Sequence, residues 1–137
     1  MVISVIEDIS RPCKPNLVLA SKFLTRFDES EVFTFQTFDD CKSRKDPYLA
    51  RILHGTFAEH CSELVSLNKQ GAGIFFAVNA TDGRGRSGIN ITKIRAVFVD
   101  LDGAPLDPIY NAPLEPHLIV QSSQGKYHAY WTIDGLP

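Results

Sequence analysis

Apolar residues recur at three- and four-residue steps after Pro15, at Leu17, Ala20, Phe23, Leu24 and Phe27, and that spacing predicts a short amphipathic helix. Residues 31–38 (EVFTFQTF) alternate instead, with Phe33 and Phe35 on one side and Thr34 and Gln36 on the other, which predicts a strand. Helical spacing returns from Pro47 to about Asn68 through Leu49, Ile52, Leu53, Phe57, Cys61, Leu64 and Leu67. Asp46 is its N-cap candidate, and Gly71 lies just past its end. Residues 73–78 (GIFFAV) form a continuous apolar run and predict a buried strand. Residues 79–88 (NATDGRGRSG) are dense in turn formers and predict a surface loop or long hairpin tip. Residues 95–102 (RAVFVDLD) carry the strongest strand pattern in the chain. Pro105, Pro108, Pro113 and Pro116 punctuate the connection after it, and residues 118–121 and 126–133 predict a hairpin around Ser122, Ser123, Gln124 and Gly125. The expected fold class is α+β, a mainly antiparallel sheet with helices packed on one face.

Length and charge narrow the picture further. The 137 residues are about one domain's worth, with 44% hydrophobic and 22% charged positions, an ordinary globular composition. Net charge is −2, so any polyanion contact must use a local basic patch. Cys13, Cys41 and Cys61 form no CxxC pair and are odd in number, which fits a reducing, cytoplasmic setting. No apolar run approaches the ~20 residues of a membrane span. Glu7 and Asp8 stand where a signal peptide would carry basic residues and then an apolar core.

Candidate chemistry centres on Asp100 and Asp102. Strand alternation would project both from one face, roughly 7 Å apart, with Val97, Val99 and Leu101 turned into the core. Two carboxylates at a buried strand end repel one another and lose solvation, and Mg²⁺ or Mn²⁺ relieves both penalties. The plainer alternative is that Asp102-Gly103 starts a turn and Asp100 is a solvated strand end. Haloacid-dehalogenase-type phosphatases also use D-x-D, but Ala104-Pro105 stands where they carry Thr, and only 35 residues follow Asp102. Glycosyltransferases with a D-x-D metal site place a parallel α/β half before it, which this pattern lacks.

Residues 126–133 alternate, Lys126, His128, Tyr130 and Thr132 against Tyr127, Ala129, Trp131 and Ile133. On the face of the aspartates, Lys126 and His128 would bind the non-metallated oxygens of a triphosphate, with Ser122, Ser123 and Gly125 adding donors. Between Gly83 and Val99 lie Arg84, Arg86, Lys93 and Arg95 and no acid. Arg84 and Arg86, in a Gly-rich loop, are candidates for nucleic-acid phosphates, and Arg95 for the nucleotide. The bland alternative for this loop is a solvated hairpin tip.

Taken in order, FTFQTFDD, LNKQGAG, FFAVNATDGRGRSGINITKIRAVFVDLDGAP and PHLIVQSSQGKYHAYW resemble the RepB-like branch of the archaeo-eukaryotic primase superfamily, over roughly residues 30–135. These are primase-polymerase domains of plasmid, phage and integrated-element replication. The resemblance implies an RRM-like core whose N-terminal part is this chain, with Asp100 and Asp102 as catalytic metal ligands and His128 contacting the nucleoside triphosphate. Lys126 stands where the family has a small residue. A third acid and an arginine-containing segment are expected beyond residue 137, Asp134 reading as a turn residue, so the chain reads as part of a longer domain. Implied partners are a single-stranded DNA template, nucleoside triphosphates, and a helicase domain or other replication protein, with no membrane. A non-catalytic module that binds nucleic acid or a replication partner is the alternative of a different class.

Overall fold

A computed structural model describes residues 15–134. The N-terminal segment read above for a signal peptide, Cys13 included, lies outside the described residues. The described chain divides into two compact units, residues 15–95 and residues 96–134. It is α+β, and its strands form three small antiparallel sheets rather than the single sheet expected. Among the described residues no helix is long and apolar enough to cross a membrane.

In the first unit, α1 (Leu17–Thr25) starts at Asn16, whose side chain accepts from the Leu19 amide at 3.0 Å. β1 (Val32–Asp39) is the central strand of its sheet, between β2 (Arg51–Thr56) and β3 (Ala72–Phe76). Phe33 and Phe35 share one face as predicted. Phe33 meets Phe76, and Phe76 meets Phe23 and Phe27 of α1, while Phe35 meets Phe57 of α2 (Phe57–Lys69). Thr34 and Gln36, on the opposite face, are nevertheless nearly as buried as the rings, and Thr37 is buried on the ring face. A central strand loses its edges to its neighbours, and here the polar face is partly covered as well.

Residues 47–56 depart from the predicted helix. Asp46 caps only a short 3-10 turn (Pro47–Leu49), and Arg51–Thr56 then pairs antiparallel with β1. Gly55 explains the switch: its φ is +150°, and a Cβ there would lie 2.7 Å from Glu59 and 2.8 Å from His60. A glycine in that conformation ends any helical run. Helix α2 begins only afterwards, through a reciprocal cap in which Glu59 accepts from the Thr56 amide and the Thr56 hydroxyl accepts from the Glu59 amide. The turn-rich segment does form a long hairpin tip, between β4 (Ala80–Thr81) and β5 (Ile91–Lys93).

The second unit is the sheet β6 (Ala96–Asp100), β8 (Lys126–Thr132) and β7 (Leu118–Ser123), with β8 in the centre. A one-turn helix α3 (Asp107–Tyr110), hidden in the sequence by Pro108 within it and Pro105 and Pro113 around it, brings Ile109 against Ile119 and Ala129. Leu101, Leu106, Tyr127 and Trp131 pack around that core. The register places Val97 and Val99 on this core side, yet they are 52% and 43% exposed because β6 is an edge strand. Core-ward parity held for them; burial did not.

Candidate functional site

Antiparallel pairing sets Asp100 of β6 directly opposite His128 of β8, with Phe98 opposite Tyr130 one pleat further on. Alternation then puts Phe98, Asp100, Lys126, His128 and Tyr130 on the face away from Ile119 and Ala129. Trp131 is on the other face, where its indole N–H donates to the Leu114 carbonyl at 2.9 Å. The expected grouping of His128 with Asp100 therefore follows from register alone.

His128 Nε2 lies 3.6 Å from Asp100 Oδ1, an ion-pair distance rather than a hydrogen bond. Its Nδ1 is 3.0 Å from the Tyr130 hydroxyl. Tyr130 itself is 4% exposed and packs against Phe98 at 5.5 Å between centroids. Burial, and then the charge of Asp100, push its phenol up to about 12. With Nδ1 held by the Tyr130 hydroxyl, the ring turns Nε2 towards Asp100. Sequence reasoning gave Tyr130 no chemical role; its hydroxyl contact holds the orientation of His128. The signal was its i+2 spacing from His128 on one strand face.

Asp102 reaches the site by another route than the one expected. The strand ends at Asp100, and Asp102 (φ +38°) and Gly103 (φ +93°) form a tight turn closed by the Ala104 amide on the Leu101 carbonyl at 2.6 Å. Left-handed backbone of this kind is open to Asp and Gly and strained for most residues. The turn directs the Asp102 amide onto Asp100 Oδ1 at 3.0 Å and the Asp102 carboxylate onto Lys126 Nζ at 2.6 Å. Lys126 thereby holds the Asp102 carboxyl below its usual range, and Asp102, with help from the charge of Asp100, raises the lysine. The carboxylates are not desolvated as strand burial would require: their side chains are 57% and 74% exposed.

Among the described residues no three His, Cys, Asp or Glu side chains gather as a metal cluster. The donor set fits a divalent cation as a partial site: two hard carboxylates joined through one turn, with the Lys126 ammonium paired to one of them. Ser123 is exposed at the end of β7 and pairs with Lys126 across the hairpin; the nearby Ser122 hydroxyl donates to the Lys126 carbonyl at 3.3 Å.

Arg95 does not meet the expectation of a nucleotide contact. It is 4% exposed, with Nε 2.8 Å and Nη2 2.7 Å from Asp28, Nη2 also donating to the Val32 carbonyl at 2.6 Å, and the guanidinium 4.4 Å over the Phe33 ring. Its charge is engaged inside the first unit. Arg84 and Arg86 are exposed on the hairpin tip. That tip is pinned by Asp82, which accepts from the Arg84 amide and from Asn90, and by Thr81, which accepts from the Gly83 amide. Below it, the Thr34 hydroxyl is 2.7 Å from Thr81 Oγ1 and 2.8 Å from His54 Nδ1. Gly83 sits so close to the His54 ring that a Cβ would approach it to 3.0 Å. Thr34, His54 and Thr81 thus root the basic loop in the sheet; they lie far apart in the chain, and no motif announced them.

The class defined at this point is an α+β protein whose second unit carries an Asp-Asp-Lys-His constellation at a sheet end and whose first unit carries a basic hairpin loop. No family model, characterised protein or solved structure matches the chain.

Proposed function

We propose that the chain carries a primase-polymerase-type site for nucleotidyl transfer, acting on nucleoside triphosphates along a single-stranded DNA template. The observation that carries this reading is the pairing of Asp100 with His128 across β6 and β8, with Asp102 and Lys126 joined at the same end of the sheet. Asp100 and Asp102 would hold Mg²⁺ or Mn²⁺, which when bound polarises phosphoryl oxygens and makes a 3′-hydroxyl more acidic. Lys126 exchanges its contact with Asp102 for a triphosphate oxygen, so the ammonium paired with that acid becomes a ligand for the substrate. His128, oriented by Tyr130, offers Nε2–H to a neighbouring phosphate oxygen. Ser123 supplies a hydroxyl at the hairpin end, and Arg84 and Arg86 contact template phosphates.

A second reading, a binding module without chemistry, is favoured by one feature: the Asp102 carboxylate is already paired with the Lys126 ammonium at 2.6 Å. Primer extension with Mg²⁺ or Mn²⁺ and nucleotides decides between them. Product is expected from the native chain, and Asp100→Asn, which keeps the shape and removes the charge, is expected to lower the rate at least 100-fold. An inert chain whose Mn²⁺ and nucleotide binding is unchanged in Asp100→Asn overturns the assignment and leaves the binding module. Metal-dependent phosphomonoester hydrolysis lost in Asp100→Asn would favour a phosphatase instead.

A further inference from the structure

The sheet β2-β1-β3 has a second face, opposite Phe33 and Phe35. By register it carries Thr34, Gln36 and Phe38 on β1, Ile52 and His54 on β2, and Gly73 and Phe75 on β3. Phe38, Ile52 and Phe75 are 46%, 58% and 53% exposed, a cluster of large apolar side chains on one small sheet. The two rings meet edge to face, 6.1 Å between centroids. Gly73 lies beneath Phe75: a Cβ there would approach the ring to 3.0 Å, so glycine lets the ring lie low over the sheet. Between the rings and the loop root sits Gln36, 5% exposed, whose Oε1 is buried without any hydrogen-bond partner, while Nε2 reaches only the Thr37 carbonyl at 3.4 Å. A buried acceptor left unpaired is unusual and marks a place where a donor is missing.

Charge says what kind of occupant fits. At the Thr34 end, the hairpin tip with exposed Arg84 and Arg86 rises from this same face, held there by the Thr34–Thr81 and Thr34–His54 bonds. At the Phe38 end stands Asp40, whose carboxylate is 3.7 Å from where a Gly73 Cβ would lie. Cations at one end, exposed rings at the other and an unpaired acceptor between them match a polyanion with flat, N–H-bearing bases. Four residues of strand separate Thr34 from Phe38, about 13 Å, the span of two or three nucleotides.

We propose that this face of the sheet binds single-stranded nucleic acid, with bases stacked on Phe38 and Phe75, a base N–H donated to Gln36 Oε1, and the phosphates carried to Arg84 and Arg86. The proposal deepens the template reading of the basic loop and rests on it for the phosphate contacts. It owes nothing to Asp100 and Asp102, so binding is measured in EDTA without nucleotides, where failure of the metal chemistry has no effect.

The probe is a labelled thymidine 12-mer, compared by fluorescence anisotropy with a 12-mer of abasic residues of equal charge. The native chain should bind the thymidine strand at least tenfold more tightly, since a stacked base typically contributes a factor of about 5 to 150. Phe38→Leu with Phe75→Leu, which keeps apolar volume and removes the rings, should abolish that preference and leave the salt dependence intact. Arg84→Ala with Arg86→Ala should do the reverse, keeping the preference while lowering the log–log salt slope by about 1.4. Equal binding of both strands by the native chain, or a preference that survives loss of both rings, overturns the proposal. So does a dimer by sedimentation that the ring variants dissolve without change in DNA binding, which would make the face a self-association surface. An unchanged slope in the arginine variant with the preference intact would remove only the loop's part.

Discussion

Arg95→Ala is expected to destabilise the first unit by about 3–5 kcal/mol, the usual cost of breaking a buried ion pair from one side. Three groups lose their partner together: the Asp28 carboxylate, 17% exposed; the Val32 carbonyl; and the face of Phe33. Arg95→Lys should recover part of the loss, because it restores charge but not the fork that reaches Asp28 and Val32 simultaneously. Acid supplies an independent check. Burial pushes Asp28 up, but hydrogen bonds from Ser30 and Arg95 and the guanidinium charge outweigh it and hold the carboxyl at about 2, against an ordinary 3.8. A depressed folded value means that this contribution is complete above the ordinary value and is lost as pH falls from there towards about 2. Urea unfolding followed by far-ultraviolet circular dichroism should show that loss in the native chain and a flatter profile in Asp28→Asn. If Arg95→Ala unfolds like the native chain yet binds nucleoside triphosphates more weakly, Arg95 is a ligand residue after all.

Arg95 also shows what kind of information the sequence lacked. Its place in a basic run without acids pointed outward, to a phosphate. Its partner, Asp28, is 67 residues away in the chain, and nothing local distinguishes a buried guanidinium from an exposed one. Short-range signals were legible wherever one period governed a whole element. The alternation of β1, the helix α1, the late hairpin and the turn-rich tip all follow from that. Periodicity failed at Arg51–Thr56, because three- and four-residue spacing across residues 47–67 is also satisfied by a strand followed by a helix, and one glycine conformation decides between them. At the candidate site the sequence placed Asp100 and His128 on one face for the right reason. It gathered Asp102 for the wrong one, since a left-handed turn and a lysine, not strand alternation, bring that carboxylate in. The ring pair on the second sheet face was invisible, because Phe38 and Phe75 belong to separate strands whose pairing only the fold supplies.

Phe33→Ala should cost a similar 3–5 kcal/mol, the range for emptying a buried aromatic site. Phe33 is 1% exposed at the meeting point of three contacts: Phe35 along the strand at 6.2 Å, Phe76 across the sheet at 5.7 Å, and the Arg95 guanidinium at 4.4 Å. Truncation leaves a cavity that β1 cannot close, because the strand is paired on both edges. The guanidinium loses the ring face at the same time, so Phe33 and Arg95 should not behave as independent sites. Phe33→Leu keeps most of the volume and removes the π-face, and should fall between Phe33→Ala and the native chain. In a cycle with Arg95→Ala, a coupling of about 0.5–1 kcal/mol is expected from the cation–ring contact. Strict additivity of Phe33→Leu and Arg95→Ala would mean that the guanidinium draws its stabilisation from Asp28 and Val32 alone. Because Thr34 follows Phe33 directly on the same strand, partial unfolding here should also loosen the Thr34–Thr81 and Thr34–His54 bonds. Faster amide exchange at Gly83 in Phe33→Ala, at a temperature where most of the protein remains folded, would report that link between the aromatic core and the basic loop.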